Sequence, residues 1–203
     1  LEQFFREKMD KLSYALGLSM GHNFISSGIK SLNYGDFAEA LAAVYEGTEK
    51  KMSFEDAKQV VNEYFMNLEK EVMEKNAEIG RKFLEENKKR AKVVVLPSGL
   101  QYEVLAAGEG EHPKATDQVT VHYTGTLVDG TVFDSSVQRG EPATFGVNQV
   151  IPGWVEALQL MVPGDKWRLY IPSNLAYGEQ GAGQVIGPNA TLVFEVELIK
   201  IVK

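Results

Sequence analysis

The apolar residues of this 203-residue chain change their spacing about halfway along it. In residues 1–92 they recur every three or four positions, as Leu18, Gly21 and Ile25 do, which is the spacing of one face of an α-helix. In the remainder they alternate with polar residues, as residues 119–123 do, which is the spacing of a half-buried β-strand. The chain is therefore predicted to hold a helical segment followed by a sheet.

Capping residues divide the helical segment into three parts. The predicted helices are residues 12–29, 36–45 and 53–92. Asp36 is of the residue type that accepts hydrogen bonds from the first amides of a helix, and Gly47 is of the type that ends one. Ser53 and Asp56 form a capping-box pair at the start of the third helix. At 1.5 Å per residue, this helix of about 38 residues would be roughly 57 Å long.

The second half of the third helix is charged rather than apolar. Its glutamates lie four residues ahead of basic residues, which stabilises an isolated helix by roughly a few tenths of a kcal/mol per pair. The pairs are Glu71 and Lys75, Glu78 and Lys82, Glu85 and Lys89, and Glu86 and Arg90. We predict a rigid stalk that bridges two domains through solvent. The alternative is the exposed face of a helix that packs on the C-terminal half.

The helical segment is too small to bury its own apolar residues. Two short helices and half of a long one make a body without room for a core. The apolar residues that need a cover are Leu18, Phe24, Ile25, Val61, Phe65 and Leu68. A second copy of the same segment is the simplest cover, so a two-fold homodimer is expected. Residues 1–92 are therefore predicted to be a dimerisation domain with its stalk helix.

Residues 93–203 are predicted to form the second domain. Alternating stretches around Val119, Trp167 and Leu192 predict an antiparallel sheet, and residues 154–161 have the spacing of one short helix. A sheet wrapped around one helix gives an α+β fold. Aromatic and branched side chains from several short elements would then line an apolar pocket between the helix and the sheet.

Five short motifs follow one another in this second domain. They are HYTG (residues 122–125), FDSS (133–136), IPGW (151–154), LAYG (175–178) and ATLVF (190–194). In this order they resemble the FK506-binding-protein (FKBP) family of peptidyl-prolyl cis-trans isomerases, over roughly residues 96–202. The helical segment resembles that of the bacterial subgroup that includes the macrophage infectivity potentiator and the 22-kDa isomerases. The resemblance implies an FKBP-like fold and a V-shaped dimer with the isomerase domains at its tips.

The resemblance also implies an activity that needs no cofactor, namely rotation about Xaa-Pro bonds in unfolded or partly folded polypeptides. Resonance keeps a peptide bond flat, and the barrier to rotation is roughly 18 to 20 kcal/mol. The twisted amide has lost charge separation, so water solvates it less well than the planar form. An apolar pocket without water removes that difference, and no acid, base or metal has to act.

The resemblance assigns roles to twelve residues. The catalytic set is Asp134, Tyr177, Tyr123 and Ile151, and the substrate-binding set is Phe133, Arg139, Phe145, Val150, Trp154, Val185, Ile186 and Phe194. Trp154 is expected beneath the proline ring, with Tyr177 and the Ile151 N–H bound to substrate carbonyls. Asp134 is expected to orient groups at the edge. On residue type alone, Trp154 would be a plain core residue and Asp134 a turn cap.

The alternative function is a non-catalytic holdase chaperone that grips unfolded chains and binds proline in the same pocket. Macrolides of the FK506 and rapamycin type are expected as inhibitors by resemblance. Ala143, Ala182 and Gly187 occupy rim positions where relatives often carry larger or stiffer residues, so weaker macrolide binding is expected.

Charge and composition argue against other classes of function. The net charge of −7 lies almost wholly in residues 93–203, which disfavours a nucleic-acid or anionic-membrane partner. The chain has no cysteine, and its three histidines lack metal-ligand spacing. No apolar run reaches the roughly 18 residues of a membrane span. The expected compartment is the cytoplasm, or the periplasm or outer membrane if a leader preceded Leu1.

Overall fold

The computed structural model describes residues 9–202. Residues 1–8, whose native status the sequence leaves open, lie outside the described part. By its internal contacts the chain divides into two units, and the boundary in the sequence lies between Leu68 and Glu69. None of the helices in residues 9–202 combines the length and the apolar character needed to cross a membrane.

Three helices come first in the chain. They are α1 (Lys11–Ser26), α2 (Tyr34–Glu46) and α3 (Phe54–Asn87). The Ser53 hydroxyl accepts a hydrogen bond from the Asp56 N–H at 3.0 Å, which confirms the predicted cap of the long helix. Gly47 ends α2 in the left-handed conformation, with φ of 68°, as predicted.

The predicted cap of α2 was wrong. Asn33, not Asp36, caps the helix, because its side-chain oxygen accepts the N–H groups of Gly35 and Asp36 at 2.9 and 3.1 Å. Asp36 lies inside the first turn, where a carboxylate is favoured by the positive end of the helix dipole. The helix therefore begins two residues earlier than the sequence suggested.

The rest of the chain forms a seven-stranded antiparallel sheet with short helices. The strands are β1 (Val94–Val95), β2 (Gln101–Ala106), β3 (Gln118–Leu127), β4 (Val132–Ser135), β5 (Ala143–Gly146), β6 (Lys166–Ile171) and β7 (Leu192–Val202). Their order is β1-β2-β6-β7-β3-β4, and β5 pairs with the beginning of β3. The helices are α4 (Ser136–Arg139) and α5 (Pro152–Leu158). This architecture confirms the predicted α+β fold.

The core of this sheet follows the predicted alternation. Val119 and Val121 of β3 are buried, as are Leu169 and Ile171 of β6 and the even-numbered residues 192–198 of β7. Helix α5 packs on them through Trp154, Ala157 and Leu158.

The second half of α3 packs against the sheet-containing unit, which is the alternative that the sequence left open. The Phe83 and Tyr170 rings lie 5.9 Å apart, and the Asn76 amide donates to the Pro188 carbonyl at 2.8 Å. Gly80 is buried, and a Cβ at this position would lie 2.2 Å from the Thr191 hydroxyl. The charged residues lie on the exposed faces, where Glu78 pairs with Lys82 at 3.2 Å.

A network of polar side chains fixes the end of α3 on the sheet. The Arg90 guanidinium donates to the Tyr170 hydroxyl at 2.8 Å and to the Glu103 carboxylate at 3.0 Å. The Tyr170 hydroxyl donates to Glu103 at 2.8 Å. The buried amides of Asn87 and Gln101 are hydrogen-bonded to each other at 2.9 Å. The Tyr170 hydroxyl and the Arg90 guanidinium hold the pKa of Glu103 below its ordinary value.

The N-terminal unit is built differently. Within its described residues, 9–68, Ala43 is the one buried side chain. Leu18 is 62% exposed, Ile25 75% and Val61 53%. A unit with so little buried apolar surface has no core of its own in the single chain.

Replacing Arg90 by alanine should destabilise the C-terminal unit by about 1 to 3 kcal/mol, because it leaves the buried Glu103 carboxylate with fewer hydrogen bonds. Both tryptophans lie in this unit, so urea unfolding followed by tryptophan fluorescence measures the change. The matched control is Lys89→Ala, which removes an exposed ion pair to Glu86 and should cost less than about 0.5 kcal/mol. Equal losses in the two variants would contradict the role of the network.

Candidate functional site

A cavity of about 590 Å³ lies between α5 and the sheet. It is lined by Tyr123, Phe133, Asp134, Phe145, Gln149, Val150, Ile151, Trp154, Tyr177, Ile186 and Phe194. Ten of the twelve residues assigned from the sequence are among them. The volume lies in the range of small-molecule and short-peptide sites, and the lining is mostly aromatic.

Trp154 is the central residue of this lining. Its indole is 4% exposed and contacts aromatic rings from three different strands. The rings of Tyr123 and Phe194 each lie 5.3 Å from it and that of Phe145 lies 6.0 Å away, all nearly perpendicular to the indole. Edge-to-face contacts of this kind hold the rings in fixed orientations. The bottom of the cavity is therefore rigid and apolar.

Two glycines allow this close aromatic packing. A Cβ at Gly153 would lie 2.6 Å from the Ile171 side chain, so only glycine lets the start of α5 approach β6. A Cβ at Gly125 would lie 2.6 Å from the rings of both Phe133 and Phe194. Each glycine belongs to one of the motifs noted above, and its role is to bring the cavity walls together.

One edge of the cavity is polar. The Tyr123 hydroxyl donates to the Asp134 carboxylate at 2.5 Å, and the Arg139 guanidinium donates to the same carboxylate and to the Tyr123 hydroxyl. Burial alone would raise the pKa of Asp134, but the hydrogen bonds from Tyr123 and Arg139 outweigh it and lower that pKa. Burial and the hydrogen bond to Asp134 raise the pKa of Tyr123. At neutral pH the aspartate is therefore ionised and the phenol protonated.

A buried serine directly after β4 holds the backbone of Tyr123. The buried Ser136 hydroxyl accepts the Tyr123 N–H at 2.8 Å and lies 3.0 Å from His122 Nδ1. His122 is half-buried beside this serine. The serine thus connects the FDSS motif to the strand that carries Tyr123.

Besides the buried Trp154 Nε1, the backbone N–H of Ile151 and the hydroxyl of Tyr177 are donors of lining residues that have no partner among residues 9–202. Tyr177 is 41% exposed, at the outer edge of the cavity. Both groups can donate to the carbonyls of a bound peptide, and the cavity offers few other polar groups to it.

Comparison with known proteins finds matches to family models in both halves of the chain. The family model for the FKBP-type peptidyl-prolyl cis-trans isomerase matches residues 109–199. The model for the domain amino terminal to FKBP-type peptidyl-prolyl isomerase matches residues 9–104. This chain belongs to the FKBP-type peptidyl-prolyl cis-trans isomerase family. Its reaction is the cis-trans isomerisation of Xaa-Pro bonds.

Relatives of this FKBP-type isomerase align over nearly its whole length. It is 47% identical over 192 residues to the FKBP-type 22 kDa peptidyl-prolyl cis-trans isomerase of Escherichia coli (strain K12). This alignment covers 93% of each chain. It is 45% identical to the outer membrane protein MIP of Legionella longbeachae, over 96% of this chain and 86% of that one. The crystal structure of FkpA from Escherichia coli aligns with a TM-score of 0.77 and 35% identity, covering 97% and 98% of the two chains.

Three residues of this isomerase differ from the sequence-based assignment. Arg139 lies outside the cavity lining and contacts it through Asp134 and Tyr123. Val185 is 46% exposed on the loop before β7 and does not line the cavity. Gln149 lines the cavity although no motif included it. A polar residue in a short 3-10 turn belongs to no periodic pattern. The only feature of the sequence that could have indicated Gln149 as a site residue is its position directly before Val150.

Replacing Arg139 by alanine should raise the pKa of Asp134, because the guanidinium that favours the charged carboxylate is removed. Carboxyl-carbon NMR titration measures this pKa directly. The control is Arg168→Ala, which removes a guanidinium bound to Glu195 outside the cavity and should leave Asp134 unchanged. An Asp134 that titrates identically in wild type and Arg139→Ala would show that Arg139 does not set its charge.

Proposed function

We propose that the cavity between α5 and the sheet binds the proline ring and is the place where the Xaa-Pro bond rotates. The observation that carries this proposal is the Trp154 indole at the bottom of the cavity, with perpendicular aromatic rings around it. A five-membered apolar ring fits such a bottom, and water does not compete well for it. The polar groups lie at the edge, where the peptide chain would enter and leave.

Catalysis in this site follows from solvation. In the planar amide the nitrogen shares its lone pair with the carbonyl, and water stabilises the separated charge. Halfway through rotation the sharing is lost, so water favours the ground state more than the twisted state. Aromatic walls replace that water, and every 1.4 kcal/mol by which they lower the barrier raises the rate about tenfold.

The polar groups orient the substrate. The Ile151 N–H and the Tyr177 hydroxyl would donate to carbonyls on either side of the bond and hold the chain while the bond turns. Asp134 stays ionised beside Arg139, so it acts through its charge and its hydrogen bond to Tyr123 and does not supply a proton. Trp154 forms the bottom, and the other apolar lining residues of the assigned set act as walls. Val185 would contact the substrate only at the rim.

Tyr177→Phe should lower kcat/KM for a proline-containing peptide about threefold to tenfold, the value of one hydrogen bond. A protease-coupled isomerisation assay measures it. Tyr45→Phe removes the hydroxyl of an exposed tyrosine in α2 and should have no effect. The second candidate is a holdase that binds proline without catalysis. In that case even the wild-type protein would leave the rate of cis-trans exchange in the peptide unchanged.

We propose that two copies of the chain associate through their N-terminal units. Support comes from the single buried side chain in residues 9–68 and from the exposed apolar side chains of α1 and α3. A second copy supplies an equal apolar surface, which a two-fold interface buries on both chains at once. The same exposed side chains would favour chaperone activity toward unfolded chains.

Light scattering should give about twice the monomer mass of 22.5 kDa at micromolar concentration. Ile25→Glu should shift this mass toward the monomer, because it places a charge in the buried interface. Val137→Glu makes the same change at an exposed position of the C-terminal unit and should leave the dimer intact. A monomeric wild type would refute the dimer.

We propose that the other partners bind in the same cavity. Proline-containing unfolded polypeptides are the proposed substrates, and macrolides of the FK506 and rapamycin type are the proposed inhibitors. The cytoplasmic location gains no support from the relatives, one of which is named an outer membrane protein. We therefore favour the alternative location, in the periplasm or at the outer membrane.

A further inference from the structure

One wall of the cavity belongs to a loop before β7. This rim loop, residues 178–191, carries Ile186, which is 8% exposed and lines the cavity. Ala182 and Ile186 exchange two backbone hydrogen bonds, at 2.8 and 3.2 Å, so the tip of the loop is a small hairpin. The Asn189 N–H donates to the Gly178 carbonyl at 2.8 Å and closes its base.

The rim loop has a backbone that is costly to keep in one conformation. Gly178, Gly181, Gly183 and Asn189 all have positive φ values. Glycines lose more conformational freedom on ordering than any other residue. The hydrogen bonds named above run within the loop, so they fix its shape without fixing its position. Position requires a contact to another element.

Helix α3 supplies a polar contact of this kind, in addition to the packing of Ile186, Ala182 and Ala190 on the core. The Asn76 side-chain amide donates to the Pro188 carbonyl at 2.8 Å, and this bond is partly shielded from water. Among the described residues, this is the one hydrogen bond between the rim loop and an element outside it. Pro188 is two residues from Ile186, so the bond lies close to the cavity wall.

Gly187 lies beside this contact and leaves space for it. A Cβ there would lie 2.9 Å from the Asn76 amide nitrogen, and Gly187 does not have a positive φ. The glycine therefore leaves room for the Asn76 amide in its present position, and its backbone conformation does not call for glycine. The helix therefore contacts the rim beside one of the positions where larger or stiffer residues are common in relatives.

We propose that Asn76 is a positioning residue for the isomerase, which holds the rim loop so that Ile186 stays in the cavity wall. This inference rests on the proposed function of the cavity. Asn76 touches no substrate. It acts by fixing the loop before a substrate arrives, so that binding does not have to order the loop.

Asn76→Ala should raise KM for an Xaa-Pro peptide about threefold to tenfold with a smaller change in kcat, because the loss of one hydrogen bond lowers the population of the binding-competent loop. Asn76→Asp places an acceptor against the Pro188 carbonyl and should raise KM at least as much. Lys75→Ala, the exposed neighbour on α3, is the control and should leave KM unchanged. Amide hydrogen exchange at Ile186 should accelerate in both Asn76 variants and not in the control.

A double-mutant cycle tests the pairing of Asn76 with Gly187. Gly187→Ala alone should raise KM, because its Cβ displaces the Asn76 amide. In the Asn76→Ala background the same change should have a clearly smaller effect, since the amide is already gone. Equal effects in the two backgrounds would mean that the residues act independently.

An unchanged KM and unchanged Ile186 exchange in Asn76→Ala would overturn the positioning role. A lower melting temperature with unchanged KM would overturn it equally, because Asn76 would then serve only stability. The Tyr177→Phe result separates this failure from a failure of the site. If Tyr177→Phe lowers kcat/KM while Asn76→Ala does not raise KM, the cavity assignment stands and only the role of Asn76 falls.

Discussion

The contact between the Trp154 indole and the sheet is the interaction on which the site depends. It buries a large side chain against rings from β3, β5 and β7, and so fixes α5 and these strands at one place. Gly153 makes the contact possible by letting α5 approach β6. The contact has a cost, because the buried Trp154 Nε1 has no hydrogen-bond partner among the described residues. An aliphatic core residue would avoid that cost but would not give a flat aromatic bottom.

Much of this site could be predicted from residues whose signal is local. Tyr123 and Phe194 stand at buried positions of alternating strands, and Trp154 begins a short helical pattern, so their meeting follows from the fold. The packing of α3 could not be found in this way. Its contacts use Asn76, Gly80 and other polar or small residues, which an apolar pattern does not detect. The charged pairs nearby then made a solvent-exposed stalk the more natural prediction.

The two units obtain their stability from different sources. The sheet-containing unit buries its own apolar residues, and the Arg90 network adds polar contacts at its edge. The N-terminal unit exposes Leu18 and Ile25 in the single chain, so its stability must depend on what covers them. Helix α3 contributes residues to both units, and charged pairs such as Glu78 with Lys82 stabilise the exposed face of its second half. In the proposed homodimer, dilution should therefore loosen the N-terminal unit before it affects the cavity.

The charge state of Asp134 limits how this isomerase can act. Hydrogen bonds from Tyr123 and Arg139 lower the Asp134 pKa, and the pKa of Tyr123 is raised, so neither group exchanges a proton readily near neutral pH. General acid-base catalysis needs a group with a pKa near the working pH, and these two lie on opposite sides of it. The means that we propose are the exclusion of water and fixed hydrogen bonds to the substrate. Both require cavity walls that are already in place, and this requirement is the basis of the proposed role of Asn76, which contacts the rim loop and not the substrate.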